Sequence, residues 1–134
     1  MLLLRSRIFW AQFIVIFIVA AVNVVATQYD LYYYIWWLDI PQHLLGGAWL
    51  ALTFVWLSLI LKKYDPTFFQ VFLSVLAIGI AWEIYEYVFG ISYGPMYVYD
   101  TSKDLLMDCI GGITAYFLAQ QFLLPPSAES ETTS

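Results

Sequence analysis

Residues 39–61 read DIPQHLLGGAWLALTFVWLSLIL, and this stretch decides the fold because it is apolar for almost its whole length. A helix needs about 20 apolar residues to cross the hydrocarbon core of a bilayer, and residues 40–61 are long enough. Asp39 and His43 stand at the start of the stretch, four residues apart. That spacing places them on one helix face. The stretch therefore predicts a membrane helix with a polar pair near one end.

Three further segments are long and apolar: 8–27, 67–89 and 104–124. The chain of 134 residues is 63% hydrophobic and only 11% charged, whereas a soluble domain carries about 25% charged residues. We therefore predict an all-α integral membrane bundle of four transmembrane helices, forming a single domain over residues 1–124. Residues 125–134 are polar and lack periodicity, which predicts a disordered tail.

Basic residues set the predicted orientation, because cytoplasmic loops of membrane proteins are enriched in Lys and Arg. Arg5 and Arg7 precede the first span, and a pair of lysines, Lys62 and Lys63, joins the second span to the third. Both termini are then cytoplasmic in a multi-pass protein of the cell membrane, and the other two loops lie outside: 28–39 and 90–103. Alternatively the first span is a signal peptide, although its apolar run is longer than usual for one.

Ionisable residues near the span ends come in helically spaced pairs, and charge inside a membrane is by default a sign of a functional site. Counting inward from the predicted outer surface gives two layers. The outer layer contains Asp39, Glu86 and Asp104, and the layer one turn deeper contains His43, Glu83 and Asp108. The six residues therefore predict one polar site in the outer leaflet.

Simpler roles compete with this interpretation for the outer residues. Asp39 lies two residues before Pro41, at the start of the predicted helix, and is suited to be its N-cap. Thr101-x-x-Asp104 fits a capping box. Glu86 borders the interface. Lys103 is a counter-ion, an anion contact or merely exposed, and Asp100 is a solvated loop residue in the simplest account. Neither capping nor exposure to solvent explains the deeper residues: His43, Glu83 and Asp108.

Spans two and four share a pattern of polar and small residues. The spacing of Asp39, His43, Gly46 and Gly47 is repeated by a second set: Asp104, Asp108, Gly111 and Gly112. Glycine lets membrane helices approach closely. The pattern predicts that neighbouring helices approach each of these two spans closely below the polar residues, and it is compatible with a two-helix internal repeat about the membrane normal.

Three motifs follow one another over about residues 36–116: Asp39-x-x-x-His43 with Gly47, Trp82-Glu83-x-x-Glu86, and Asp100-Thr101-x-x-Asp104 with Gly111 and Gly112. In these motifs the chain resembles the YjdF-like family of small membrane proteins. More distantly it is similar to VanZ-like proteins, although Ile40 stands where those have Lys and Asp108 where they tend to have Asn. The resemblance implies a multi-helix membrane protein with these acids as family features, and it implies no particular reaction.

The first functional hypothesis is a metal site that hydrolyses or transfers part of a lipid-like substrate. One histidine with several carboxylates favours Mg²⁺, Mn²⁺, Ca²⁺ or Fe²⁺ over structural zinc. The catalytic and first metal-ligand candidates are His43, Glu83 and Asp108. Asp39 would orient His43, and the wider metal-ligand set adds Asp39, Glu86 and Asp104.

Two other hypotheses stay open. Carboxylates that share protons would suit a proton- or cation-coupled transporter, which with so few helices would need a homo-oligomer. Alternatively the polar residues only bond helices together in a non-catalytic membrane partner. The lipid bilayer is the expected environment in each case. The absence of a basic patch argues against a nucleic-acid partner, and the single cysteine, Cys109, excludes an internal disulfide and a cysteine-based zinc site.

Overall fold

A computed structural model describes residues 2–62, 66–91 and 95–123, and within these ranges the chain is helical without a strand. The described residues form five α-helices in chain order: α1 (Leu2–Gln28), α2 (Leu31–Tyr34), α3 (Asp39–Leu57), α4 (Phe68–Val88) and α5 (Tyr97–Leu118). A π-helical turn extends α3 over Ser58–Lys62, and another extends α5 over Ala119–Leu123. The predicted disordered tail, 125–134, lies outside the described residues.

Local sequence signals explain where the helices start and stop. The side chain of Thr67 accepts a hydrogen bond from the backbone N–H of Gln70, and the Gln70 side chain accepts one from Thr67, which forms a capping box at the start of α4. Gly90 follows α4 with φ 67°, a left-handed conformation that favours glycine. Asp30 adopts a similar conformation, φ 53°, between α1 and α2.

Within the part of the chain that the structure describes, three helices are long and apolar enough to cross a membrane: Arg7–Gln28, Asp39–Leu61 and Phe68–Val88. Four were predicted, and the segment 104–124 is not among the three. The helix there, α5, begins at Tyr97 and not at residue 104, and its first half carries the charges that lower its hydropathy: Asp100, Lys103, Asp104 and Asp108. The predicted outer loop 90–103 is correspondingly shorter.

The long helices pack around α3. The most extensive interface joins α3 to α5, α1 packs on the other side of α3, and α4 packs mainly on α5. A buried apolar cluster fills one half of the bundle, away from the acidic residues: Ile8, Ala51, Leu52, Val55, Val71, Val75, Ala115 and Ala119. Large apolar side chains also cover much of the outer surface, as a bilayer-facing surface requires.

Polar side chains connect α1 to α3 at two levels. Thr53 of α3 donates a hydrogen bond to Gln12 of α1 at 2.7 Å, and both groups are at least partly buried. Nearer the acidic residues, the amide of Gln42 donates to the carbonyl of Val19 at 3.3 Å and to the Tyr32 hydroxyl at 3.2 Å. Tyr32 in turn donates to Asn23. Helix α1 is therefore an integral part of the bundle.

Candidate functional site

Close contact between two glycine pairs brings the acids of α3 and α5 together. A Cβ atom on Gly47 would overlap the backbone of Asp108, and one on Gly111 would overlap the carbonyl of Leu44. Asp39 lies beside Lys103, His43 beside Asp108 and Gly47 beside Gly112, so the two helices run parallel, as the predicted topology required. Only glycine permits this distance between the backbones. The start of α3 therefore lies beside the charged half of α5.

The imidazole of His43 lies between three aspartates from these two helices. Its Nε2 atom is 3.5 Å from Asp39 Oδ1 and 4.0 Å from Asp104 Oδ2. Its Nδ1 atom, on the other side of the ring, is 3.4 Å from Asp108 Oδ1. These distances exceed the usual 2.7–3.2 Å of an N–H···O hydrogen bond. The acidic groups therefore surround the ring without closing tightly on it.

Lys103 is the counter-ion of the same aspartates. Its ammonium group is 2.7 Å from Asp100 Oδ1, 3.4 Å from Asp104 Oδ1 and 3.6 Å from Asp39 Oδ2. Three carboxylates around one ammonium favour its charged form. Lys103 therefore brings a positive charge to the rim of the site.

The two acids of α4, Glu83 and Glu86, form their hydrogen bonds with residues outside this group. Glu83 is buried and accepts a hydrogen bond from Thr101 Oγ1 at 2.8 Å, while Glu86 is half-buried and accepts one from the indole N–H of Trp82 at 2.9 Å. Helix α4 runs antiparallel to α5, with Val75 near Gly112. Glu83 therefore lies opposite Thr101, nearer the start of α5 than the level of Asp108 that was predicted.

The structure contradicts both capping alternatives, for Asp39 and for Asp104. Asp39 is the first residue of α3, Leu38 holds the N-cap position, and that helix start has no side-chain cap. The carboxylate still lies in the first turn, where the helix dipole favours a negative charge. Thr101 and Asp104 lie within α5, because that helix starts at Tyr97, and Thr101 bonds Glu83 instead of a backbone N–H. Their T-x-x-D spacing is therefore not a capping box.

Two contacts of the site were not foreseen in the sequence. Asp100 lies in the first turn of α5, not in a loop, and holds Lys103 at the i,i+3 spacing, which a helix starting at residue 97 would have indicated. A Cβ atom on Gly79 of α4 would come within 3.0 Å of Asp108 Oδ2, so the absence of a side chain there makes room for that carboxylate.

Two buried carboxylate oxygens lack a hydrogen-bond partner within the part of the chain that the structure describes: Glu83 Oε1 and Asp104 Oδ1. Each residue is only 3% exposed. Lys103 lies within ion-pair range of Asp104 Oδ1 but makes no hydrogen bond to it. A buried oxygen without a donor is costly, so both positions favour a proton, a water molecule or a cation.

Asp39, His43 and Asp104 have the geometry of a metal-ligand set. Each offers one donor atom, and the three atoms lie within 4.8 Å of one another. Asp108 faces the second nitrogen of His43, which is where carboxylates orient metal-binding histidines. The donor set of one imidazole nitrogen and carboxylate oxygens fits a divalent cation such as Mn²⁺ or Mg²⁺.

Apolar helices around a buried group of aspartates and one histidine define a class: helical membrane proteins with a polar site between their helices. The sequence model of the family described as "Predicted membrane protein (DUF2238)" matches residues 3–123, and the chain belongs to this family. The family agrees with the YjdF-like resemblance, whereas the match does not show a VanZ-like relationship. No curated protein and no solved structure matches the chain.

Proposed function

We propose that the protein binds a divalent cation through Asp39, His43 and Asp104. One observation carries the proposal: the donor atoms of these three residues lie within 4.8 Å of one another, on two helices whose backbones are in contact. The buried Oδ1 of Asp104 supports it, because this atom forms no hydrogen bond among the described residues and faces only the Lys103 ammonium, at 3.4 Å. Mn²⁺, Fe²⁺, Mg²⁺ and Ca²⁺ suit these donors.

The remaining predicted site residues have supporting roles in this proposal. Asp108 holds His43 through Nδ1, so that Nε2 faces Asp39 and Asp104. Glu83 is the candidate proton acceptor, since one of its buried oxygens has no partner among the described residues. Glu86, bonded to Trp82 outside the group, does not contribute a ligand.

We propose that this site acts in hydrolysis or group transfer on a lipid-like substrate. A bound divalent cation supplies an activated water near neutral pH and polarises a phosphoryl or carbonyl oxygen. The location supports a lipid-like substrate, because the helices that hold the site have apolar outer surfaces and the rim beside Asp39 and Lys103 is partly exposed.

The proposal includes four spans with both termini in the cytoplasm. Helix α5 packs along α3 in parallel, so a membrane crossed by α3 is also crossed by α5. Arg7 and the lysines after α3 then lie inside, and the acidic site faces out. With this topology a fluorescent protein fused to the C-terminus is fluorescent and an alkaline phosphatase fused there is inactive. The opposite pair of results rules the orientation out.

The metal content of the purified protein tests the proposed site. We expect wild-type protein that is loaded with Mn²⁺ and then desalted to retain close to one ion per chain, and His43→Ala to retain almost none. The matched control is Glu86→Gln, which also removes an ionisable group near the same end of the bundle but lies outside the ligand set, and it should bind as wild type does. Elemental analysis measures all three.

Metal-free wild-type protein under every loading condition would refute the cation site. The shared carboxylates, with Glu83 as a buried proton carrier, would then favour the proton-coupled transporter. Equal retention by wild type and His43→Ala would show that the ions bind elsewhere.

A further inference from the structure

Lys103 contacts two of the three residues that form the proposed cation site. Its ammonium group is 3.6 Å from Asp39 Oδ2 and 3.4 Å from Asp104 Oδ1. Asp104 Oδ1, the oxygen that faces the ammonium, is buried. It forms no hydrogen bond with the ammonium or with any other residue that the structure describes. The same carboxylates therefore face a cation that the chain itself provides, without being firmly bonded to it.

The Lys103 ammonium and a divalent cation cannot both keep close contacts with the carboxylates of Asp39 and Asp104. Each positive charge repels the other across a few ångströms, and a divalent cation would neutralise the groups that hold Lys103 over the site. Asp100 would remain as its partner, and this is already the shortest of the three contacts, at 2.7 Å. Asp100 is 45% exposed and Asp39 is 32% exposed, so the ammonium lies on the open side of the group.

We propose that Lys103 and a divalent cation compete for Asp39 and Asp104, and that cation binding frees the Lys103 ammonium to bind an anionic oxygen group, a phosphate, at the rim. This inference rests on the proposed function, because it needs the cation site. It adds the substrate chemistry: a phosphate that touches both the cation and the ammonium is held by two positive centres, and Asp100 is then the remaining carboxylate partner of Lys103. Binding of cation and phosphate is then mutually reinforcing.

Mn²⁺ affinity in nanodiscs of phosphatidylcholine tests the competition. The variants are Lys103→Met and Lys103→Gln, which remove the charge, and Lys103→Arg, which keeps it. We expect the neutral variants to bind Mn²⁺ about tenfold or more tightly than wild type, and Lys103→Arg to remain within a few-fold of it. Two neutral variants are used so that a folding defect in one does not decide the result.

The phosphate is tested from two sources. Mn²⁺ titrations are repeated with inorganic phosphate, and in nanodiscs doped with phosphatidate, with lipid-only discs subtracted. We expect phosphate to tighten Mn²⁺ binding several-fold in wild type and Lys103→Arg but not in the neutral variants. Tightening by inorganic phosphate identifies a free phosphate ligand, and tightening by phosphatidate alone identifies a lipid headgroup.

The outcomes separate the two proposals. If neither wild type nor any variant binds Mn²⁺, the cation site is overturned, and the proposed competition is overturned with it. Mn²⁺ binding that His43→Ala abolishes but that the neutral Lys103 variants do not strengthen leaves the cation site standing and overturns the competition. Phosphate effects of equal size in wild type and in Lys103→Met overturn the assignment of the ammonium as the phosphate contact.

Discussion

Gly111→Ala is expected to prevent the protein from folding stably, and Gly47→Ala to have a similar effect. The added methyl of Gly111→Ala would overlap the carbonyl of Leu44, and that of Gly47→Ala would overlap the backbone of Asp108. Neither obstacle is a side chain that can rotate away, so the helices must separate. We expect a loss of at least about 3 kcal/mol in the free energy of unfolding, beyond the usual range for overpacking.

Gly46→Ala is the matched control, because it lies next to Gly47 on the same helix. Its added methyl would meet only the carboxylate of Asp108, at an ordinary contact distance of 3.7 Å, and alanine is the better helix former by about 1 kcal/mol. We expect it to fold as well as wild type. Size-exclusion profiles and melting temperatures in detergent measure the difference. Similar melting temperatures for Gly46→Ala and Gly111→Ala would disprove the backbone contact between α3 and α5.

Asp104→Asn is expected to abolish cation binding, whereas Asp108→Asn should weaken it only about 10- to 100-fold. Asp104 offers an oxygen to the proposed cation, together with Asp39 and His43. Asp108 instead faces Nδ1 of the histidine, and groups that orient a metal-binding histidine typically contribute affinity of that size. The substitution of oxygen by nitrogen keeps the shape of each side chain, so packing changes little.

Mn²⁺ titration of the two variants distinguishes a ligand from an orienting group. Asp108→Asn should retain measurable binding at millimolar Mn²⁺, and Asp104→Asn should show none. A complete loss in both variants would make Asp108 a ligand as well, as the sequence first indicated. A weaker effect for Asp104→Asn than for Asp108→Asn would contradict the proposed ligand set.

The long apolar helices and the close approach at their glycines could be predicted from the sequence, because both depend on local spacing. Apolar length identified the helices that include residues 8–27, 40–61 and 67–89, and the Gly-Gly pairs indicated where other helices would approach α3 and α5 closely. The structure agrees with these expectations. That the two Gly-Gly pairs face each other did not follow from the sequence. That His43 would lie near acids of other helices followed from the predicted layers.

Helix ends and the relative level of α4 could not be predicted in the same way. Hydropathy placed the start of the last helix at residue 104, but a helix continues through polar residues, and α5 begins at Tyr97. This earlier start also removes the capping box at Thr101. The level of Glu83 depends on how α4 is placed along α5, which is a property of side-chain packing. Counting residues inward along each helix separately therefore does not predict the level of Glu83.

The glycine contacts between α3 and α5 also limit how far these helices can slide along each other. One residue of an α-helix rises about 1.5 Å, and a slide of that size would change the 4.0 Å distance between His43 and Asp104 and bring side chains against the opposite backbone. Larger residues at the contact would leave a smoother interface with several registrations of similar energy. Contact between backbones favours one registration, so the backbone positions that carry His43 on α3 and Asp104 on α5 are fixed relative to each other.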